Sequence, residues 1–176
     1  MPSIDPPPLL TASQIQRRVA ELATTISHDY ASREPLVLIG VLKGAFIFLA
    51  DLARRLTVPH RIEFVALSRY GDRGIVGGEL RIDMDLREGI EDAHVIIVED
   101  IVDSGQTLAW LIGALARRNP ASLKTIALVQ KPDRTEVDVR IDYLGFEIPD
   151  KWVVGYGLDY KDRHRTLPYI GTITPD

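Results

Sequence analysis

The sequence contains no cysteine and no apolar run long enough to cross a membrane, and both absences narrow what the protein can be. Without cysteine, neither disulfide bonds nor thiolate metal sites can form. The N-terminus also lacks a basic segment followed by an apolar one, so we expect no secretory signal. These absences predict a cytoplasmic protein with no membrane partner.

Basic residues are outnumbered by acidic ones, 21 against 25, and the net charge is -4. A protein that holds nucleic acid through its phosphates needs a basic face, so we expect no nucleic-acid partner. The histidines show no metal-ligand spacing and are expected to be structural or on the surface: His28, His60, His94 and His164.

The length and composition predict one globular domain. Hydrophobic residues make up 45% and charged residues 26% of the 176 residues, which is typical of a protein with a real core. No internal repeat is visible. We therefore expect residues 1–176 to form a single domain. The proline-rich segment 1–10 should be an exposed N-terminal arm, because Pro2, Pro6, Pro7 and Pro8 disfavour both helix and strand.

The most informative segment covers residues 95–108 and reads VIIVEDIVDSGQTL. Its β-branched run, residues 95–98, is typical of a strand buried on both faces of a parallel sheet. Glu99 and Asp100 follow, and small and hydroxyl residues, 103–107, lead into a helical pattern. Helix N-termini bind anions, whereas carboxylates bind ribose hydroxyls or Mg²⁺. The segment predicts a ligand that combines phosphate, sugar and metal.

An ordinary strand-to-helix connection with a capped helix is the alternative for this segment. It explains less well why three carboxylates lie within one turn, because like charges repel unless a ligand compensates for them.

The segment resembles the phosphoribosyl diphosphate motif of the type I phosphoribosyltransferases. The rest of the chain after residues 1–10 resembles the hypoxanthine-guanine phosphoribosyltransferases. This resemblance implies an open, mainly parallel sheet flanked by helices, with a small hood from the terminal segments and a purine-binding hood segment at about 145–176. The alternation of strands and helices independently favours an open parallel α/β sheet.

Hydrophobic periodicity and turn residues predict the individual elements. Helices are expected at 15–30, where Thr11 or Ser13 could be the cap, and at 45–56 and 108–118. Strands are expected at 36–42, 61–67, 81–86, 95–98, 123–129 and 139–144, with a short last strand within 163–173.

The resemblance also implies an activity. The protein would transfer a phosphoribosyl group from phosphoribosyl diphosphate to N9 of hypoxanthine or guanine, giving IMP or GMP and diphosphate. Mg²⁺ would be the cofactor, and the protein would be a homodimer or homotetramer.

Lys43 and Gly44 follow a predicted buried strand, the position at which ligands bind in open α/β sheets. Taken alone, Lys43 is also consistent with a solvated surface lysine. With Leu42, these residues resemble the diphosphate loop of the family, in which the Leu-Lys peptide can be cis.

The resemblance implies a role for each site residue. Phosphoribosyl diphosphate would contact Leu42, Lys43, Gly44, Glu99, Asp100, Asp103, Ser104, Gly105, Gln106, Thr107 and Arg165. The metal ligands would be Glu99, Asp100 and Asp159. Asp103 would also be the catalytic residue, accepting the proton at purine N7.

For the purine, the resemblance implies contacts with Ile101, Lys131, Trp152, Val153 and Asp159. Lys131 would donate to O6, Trp152 would stack on the base, and Val153 would meet the base edge through its backbone. On sequence alone, Trp152 fits a core tryptophan better.

A glycine-rich segment after the third predicted strand resembles the family's lid loop. The family has Ser-Tyr at its start, whereas here Arg69 precedes Tyr70 and Ser68 lies one residue earlier. Ser68 and Tyr70 are the candidate lid contacts, and a mobile hairpin without ligand contacts is the alternative.

Two further functions remain open from the sequence. One is a xanthine-preferring or pyrimidine phosphoribosyltransferase, and the other is a nucleic-acid-binding regulator on the same fold. The acidic net charge and the presence of Lys43, Asp103, Lys131 and Arg165 argue against the regulator.

Overall fold

The computed structural model describes residues 5–69 and 79–175. Tyr70 of the predicted lid lies outside these residues. The helices are α1 Ala12–Asp29, α2 Phe46–Ala53 and α3 Gln106–Ala116, with a 3₁₀ turn at Pro132–Arg134. The strands are β1 Pro8–Leu10, β2 Leu36–Leu42, β3 Arg61–Arg69, β4 Leu80–Met84, β5 His94–Val102, β6 Ser122–Gln130, β7 Tyr143–Glu147, β8 Trp152–Val154 and β9 Ile170–Ile173. Within the described residues, none of the helices is long and apolar enough to span a membrane.

The main sheet has six strands in the order β4-β3-β2-β5-β6-β7. Five are parallel, and β4 pairs antiparallel with β3. The chain moves outward from β2 to β3 in one direction and from β5 to β7 in the other. The crevice at the carboxyl ends of β2 and β5 is therefore the switch point at which open α/β sheets bind ligands.

Helices cover both faces of this sheet. The first core cluster joins α1 and α2 to the sheet through Ile15, Val19, Phe48, Leu49, Leu38 and Ile96. The second joins α3 to the opposite face through Leu108, Leu111, Leu115, Val37, Ile39, Val95 and Ile97. Neighbouring strand residues alternate between the two clusters, as the pleat requires. These packed faces fix the strand ends that carry the site.

A second, three-stranded antiparallel sheet has the order β1-β9-β8 and forms the hood. The prolines of residues 1–10 predicted neither helix nor strand, but Pro8–Leu10 pairs with Ile170 and Gly171 of β9. Proline is compatible with this position because β1 is an edge strand, where no partner needs its missing N–H.

Most other elements differ by a few residues from their predicted bounds, and three of them show why. α1 starts at Ala12, earlier than predicted, because Thr11 and Gln14 form a reciprocal capping box. β5 continues to Val102 because β6 pairs with it that far, so Glu99 and Asp100 lie inside the strand rather than after it. β7 starts at Tyr143 rather than 139, because the preceding Asp142 side chain accepts the Thr125 backbone N–H.

Candidate active site

The site is built around the two acids of β5. Adjacent strand residues point to opposite faces, so Glu99 and Asp100 diverge. Glu99 is 6% exposed and lines a cavity of about 250 Å³ on the α3 side. Asp100 lies against Gly44, where an added Cβ would come within 1.6 Å of the Asp100 Oδ2 atom. The predicted diphosphate loop therefore packs directly on one acid, and its Leu42–Lys43 peptide is cis.

Both acids are held in an environment that disfavours negative charge. Burial raises the pKa of Glu99 well above its usual range, and the neighbouring Asp100 adds to the effect. Burial also raises the pKa of Asp100 to about 6, against opposing hydrogen bonds from backbone N–H groups. A bound cation would favour the charged forms, so these carboxylates suit a site for a cationic or hydroxyl-bearing ligand.

The described residues alone do not complete a metal site. In the described ranges, no group of three or more histidine, aspartate or glutamate residues is arranged to hold an ion. Asp159 is close enough to Asp100 to raise its pKa but does not form such a group with it. The carboxylate oxygens fit Mg²⁺ chemically, but a ligand and water would have to supply further oxygens.

The segment between β5 and α3 forms the predicted phosphate loop. Gly105 has φ +82°, and a Cβ there would come within 2.3 Å of the Val137 carbonyl oxygen. The Ser104 carbonyl accepts the N–H groups of Glu136 and Val137, each at 3.0 Å. These contacts hold the loop at the N-terminus of α3, and Ser104, Gly105 and Thr107 line the same cavity as Glu99. An anion bound there would lie beside the acid pair.

Asp103 and Lys131 are joined by a chain of ion pairs. The Lys131 N–H donates to the Val102 carbonyl at 3.0 Å, which places its buried side chain beside β5. Lys131 Nζ lies 3.5 Å from Asp150 Oδ1, and Arg134 Nε lies 3.1 Å from Asp103 Oδ1. Arg134 also approaches Asp150 at 3.9 Å. Arg134 and Asp103 are partly exposed, so a ligand can replace this pairing at small energetic cost.

Trp152 lies on β8 of the hood and is 57% exposed. The core-tryptophan alternative is therefore wrong. Its ring meets Tyr160 edge to face, with centroids 5.9 Å apart, and leaves a broad aromatic surface uncovered. Val153, its neighbour, is buried, whereas Ile101 on β5 is half-buried. An exposed indole is suited to stacking on a planar base.

The hood loop, residues 155–169 between β8 and β9, brings the remaining charged residues together. Arg165 Nη2 lies 2.7 Å from Asp159 Oδ1 and 2.9 Å from Asp162 Oδ1. Lys43 Nζ contacts the same Asp162 oxygen at 3.3 Å. The two cations predicted for diphosphate thus share one aspartate, although they are separated by more than one hundred residues in the sequence.

The start of the lid segment has contacts of its own. The Ser68 hydroxyl accepts a hydrogen bond from Arg81 Nε at 3.1 Å, across the β3–β4 pair. Arg69 Nη2 donates to the side-chain oxygen of Gln106, Oε1, at 3.4 Å. Ser68 therefore has a partner on β4, and it is Arg69 that reaches toward the phosphate loop.

Comparison with known proteins decides the family. A model of the phosphoribosyl transferase domain matches residues 9–161. A hypoxanthine-guanine phosphoribosyltransferase from Mycobacterium tuberculosis is 51% identical over 172 residues, covering 95% of this chain and 85% of that relative. The chain belongs to the hypoxanthine-guanine phosphoribosyltransferase family.

Solved structures of this family have the same fold. A hypoxanthine phosphoribosyltransferase from Staphylococcus aureus gives a TM-score of 0.90 at 41% identity, covering 96% of this chain and 91% of that one. One from Trypanosoma cruzi gives 0.91 at 41% identity, with coverages of 99% and 95%. The predicted type I phosphoribosyltransferase fold is confirmed, and neither the regulator nor the xanthine or pyrimidine alternative is favoured.

Four residues of the site were not predicted from the sequence: Arg134, Asp150, Tyr160 and Asp162. For two of them, the position within a motif of the family could have indicated a place in the site. Asp150 and Tyr160 lie within residues 146–160, which resemble the purine motif of the hypoxanthine-guanine phosphoribosyltransferases, whereas Arg134 and Asp162 resemble ordinary surface charges.

Proposed function

We propose that the protein transfers the phosphoribosyl group of phosphoribosyl diphosphate to N9 of hypoxanthine or guanine, forming IMP or GMP and releasing diphosphate. The observation that carries this proposal is the placement of the acid pair. Glu99 faces the phosphate-loop cavity, and Asp100 packs on the loop of Lys43 and Gly44. A phosphate, a ribose and a leaving diphosphate can thus bind side by side.

Each part of the substrate has a matching group. The N–H groups and hydroxyls of 103–107 would hold the 5′-phosphate, and Glu99 and Asp100 would orient the ribose hydroxyls. Lys43 and Arg165 would bind the diphosphate, whose negative charge grows as the bond to the anomeric carbon breaks. Arg165 suits this role because its planar guanidinium is permanently charged and binds two oxygens at once.

The base would be held between the hood and β5. Trp152 would stack on one face of the purine and Ile101 would cover the other, while the Val153 backbone would meet the edge. Lys131 would donate to O6. Asp103 would exchange Arg134 for the purine N7–H and hold its proton, which would make N9 the more nucleophilic nitrogen.

We propose Mg²⁺ as the cofactor, bound at two places: Glu99 and Asp100 would contact it at the ribose hydroxyls, and Asp159 would lie beside a second ion at the diphosphate, with substrate oxygens completing each set. When bound, it would supply charge compensation for the leaving diphosphate. Burial raises the pKa values of Glu99 and Asp100 by disfavouring their charged forms. This supports the proposal, because a bound divalent cation would stabilise those charged forms.

Titration calorimetry tests the metal proposal. Mg²⁺ should bind the free protein weakly and bind more tightly in the presence of phosphoribosyl diphosphate, because the described residues offer an incomplete set of ligands. Tight binding of Mg²⁺ to the free protein would contradict it.

The base preference tests the proposed function itself. With Mg²⁺ and phosphoribosyl diphosphate, kcat/KM should be high for hypoxanthine and guanine, lower for xanthine and lowest for adenine. Lys131 has only donors, so the 6-amino group of adenine would leave a buried polar group unpaired, a loss of about 1–3 kcal/mol or roughly ten- to hundredfold.

Lys131→Met should reduce this discrimination. Lys124→Met is the matched control, because Lys124 lies near the amino end of β6, the strand that Lys131 follows, and beside Asp29. Equal kcat/KM for adenine and hypoxanthine in the unmodified enzyme would refute the role of Lys131. Xanthine or a pyrimidine as the best substrate would refute the proposed specificity.

We further propose that the enzyme works as a homodimer or homotetramer. Ile62, Phe64 and Met84 are exposed and line one surface hollow of about 520 Å³. Such clustered apolar side chains are typical of interaction surfaces. Ile62→Glu should shift the mass measured by light scattering toward the monomer, and an unchanged mass would place the contact elsewhere. A cytoplasmic location also belongs to the proposal, and cell fractionation tests it.

A further inference from the structure

A buried carboxylate behind the site has no role in the chemistry proposed so far. Asp51 lies on α2, the helix that follows the Lys43–Gly44 loop, and is 7% exposed. Its Oδ2 atom accepts the Tyr156 hydroxyl at 2.5 Å and Gln16 Nε2 at 2.8 Å. Arg54 donates to its other oxygen. Asp51 thus connects α1, α2 and the hood loop.

The protonation states make this contact persistent. Burial pushes the pKa of Asp51 upward, but the hydrogen bonds from Tyr156, Gln16 and Arg54 outweigh it and hold the pKa below the usual range. Burial raises the pKa of Tyr156, and the hydrogen bond to Asp51 adds to the effect. A charged acceptor therefore faces a neutral donor throughout the neutral pH range.

Tyr156 is fixed in an unusual stretch of backbone. Its φ is +52°, and it lies between Gly155 at +98° and Gly157 at +104°. A Cβ at Gly157 would come within 2.0 Å of the Gly44 carbonyl oxygen, so the hood loop lies directly on the diphosphate loop. Tyr156 is 2% exposed and its hydroxyl is held by Asp51, so it fixes the hood loop in contact with the Gly44 loop.

The same stretch supports the diphosphate cation. The Gly157 N–H donates to the Arg165 carbonyl at 2.8 Å, and Arg165 Nη1 donates to the Gly157 carbonyl at 2.9 Å. Any shift of Gly157 must therefore move the backbone and the guanidinium of Arg165 together.

We propose that the Asp51–Tyr156 hydrogen bond positions the diphosphate subsite. This hydrogen bond holds the hood loop, which carries Arg165, against α2. Because Lys43 lies just before α2, one helix fixes the positions of both cations that would bind the leaving diphosphate. Asp51 and Tyr156 are positioning residues that act through Gly157 and Arg165. The inference rests on the proposed role of Arg165 toward diphosphate.

Tyr156→Phe tests the inference, with Tyr143→Phe as its matched control. Tyr143 is also buried and donates to a carboxylate, Asp29, at 2.6 Å, but it lies at the amino end of β7, away from the site. Tyr156→Phe should raise the KM for phosphoribosyl diphosphate about five- to tenfold, the scale of one hydrogen bond, and leave the KM for hypoxanthine within about twofold. Tyr143→Phe should lower the melting temperature without changing either KM.

Two more variants make the result decisive. Asp51→Asn replaces the charged acceptor of the Tyr156 hydroxyl with a neutral amide oxygen, so its KM for phosphoribosyl diphosphate should rise in the same direction as in Tyr156→Phe, about two- to fivefold, while its KM for hypoxanthine should stay within about twofold. An unchanged KM for phosphoribosyl diphosphate in Asp51→Asn would overturn the inference, also where Tyr156→Phe does not fold.

Arg165→Ala separates the inference from the proposed function. A raised KM for phosphoribosyl diphosphate in Arg165→Ala, together with an unchanged KM in Tyr156→Phe, would overturn the positioning role alone. An unchanged KM in Arg165→Ala would overturn the diphosphate role on which it rests. Equal changes in Tyr156→Phe and Tyr143→Phe would show a general loss of stability and overturn the inference.

Discussion

Gly44→Ala is the smallest change that should disable the site. An added Cβ would lie 1.6 Å from Asp100 Oδ2 and 2.4 Å from its Cγ. Ordinary carbon contacts are about 3.5–4.0 Å, so either the carboxylate or the loop must move by about 2 Å. The φ of Gly44 lies outside the left-handed region, so alanine can adopt the backbone and the effect comes from the methyl group alone.

The expected size of the effect follows from this displacement. Inserting a methyl group into a packed site costs about 1–3 kcal/mol of unfolding free energy, which for a chain of this length lowers the melting temperature by about 2–12 °C. The effect on turnover should be larger, because a 1 Å misplacement of reacting groups can reduce the rate about 100-fold. We therefore expect kcat/KM for phosphoribosyl diphosphate to fall by about two orders of magnitude.

The assay compares melting temperature and steady-state kinetics with those of Gly89→Ala. A Cβ at Gly89 meets nothing within 4 Å, so this control introduces the same methyl group without a clash. Gly89→Ala should match the unmodified enzyme in both measurements. If Gly44→Ala kept kcat/KM within about threefold of the unmodified value, the close packing of the loop on Asp100 would not matter for function.

Two further changes have defined outcomes. Asp103→Asn should lower kcat by about 10²-fold or more at an unchanged melting temperature, because it removes the proton acceptor, and a near-normal kcat would reject that role. The hydrogen bond from Arg118 lowers the pKa of Asp85 in the folded state, so the unfolded chain binds the proton more readily. This contribution to stability is present above the ordinary pKa of 3.8 and is lost as the pH falls below it. Asp85→Asn should therefore lower the urea midpoint at pH 7 but not at pH 2, and an equal loss at both would contradict the linkage.

The elements set by local sequence were the predictable ones. The apolar run at 95–98 and the following small residues placed β5 and the start of α3 within a few residues. β5 extends to Val102 because it pairs with β6. Pro8–Leu10 forms a strand because it pairs with β9. Neither partner can be inferred from a local pattern, because pairing joins distant segments.

The four site residues that the sequence did not predict were missed for the same reason. Asp162 contacts Lys43, which lies 119 residues earlier, and Arg134 contacts Asp103, 31 residues earlier. Exposed charges are common at any position in a sequence, and only the folded arrangement shows which ones meet. For Trp152 the sequence left two possibilities, a stacking surface and a core residue. The exposure of its side chain, which only the folded structure shows, excludes the core position.

The strand order of the hood has a consequence for the growing polypeptide. Trp152 lies on β8, whose one partner strand among the described residues is β9, and β9 also pairs with β1, from the other end of the described chain. During synthesis, the phosphate loop and the acid pair have left the ribosome long before residues 170–173 appear. Contacts between such distant segments form slowly. A nascent chain should therefore form the proposed sugar-phosphate half of its site first and the proposed base-stacking surface last, so that a stalled chain would contain the first without the second.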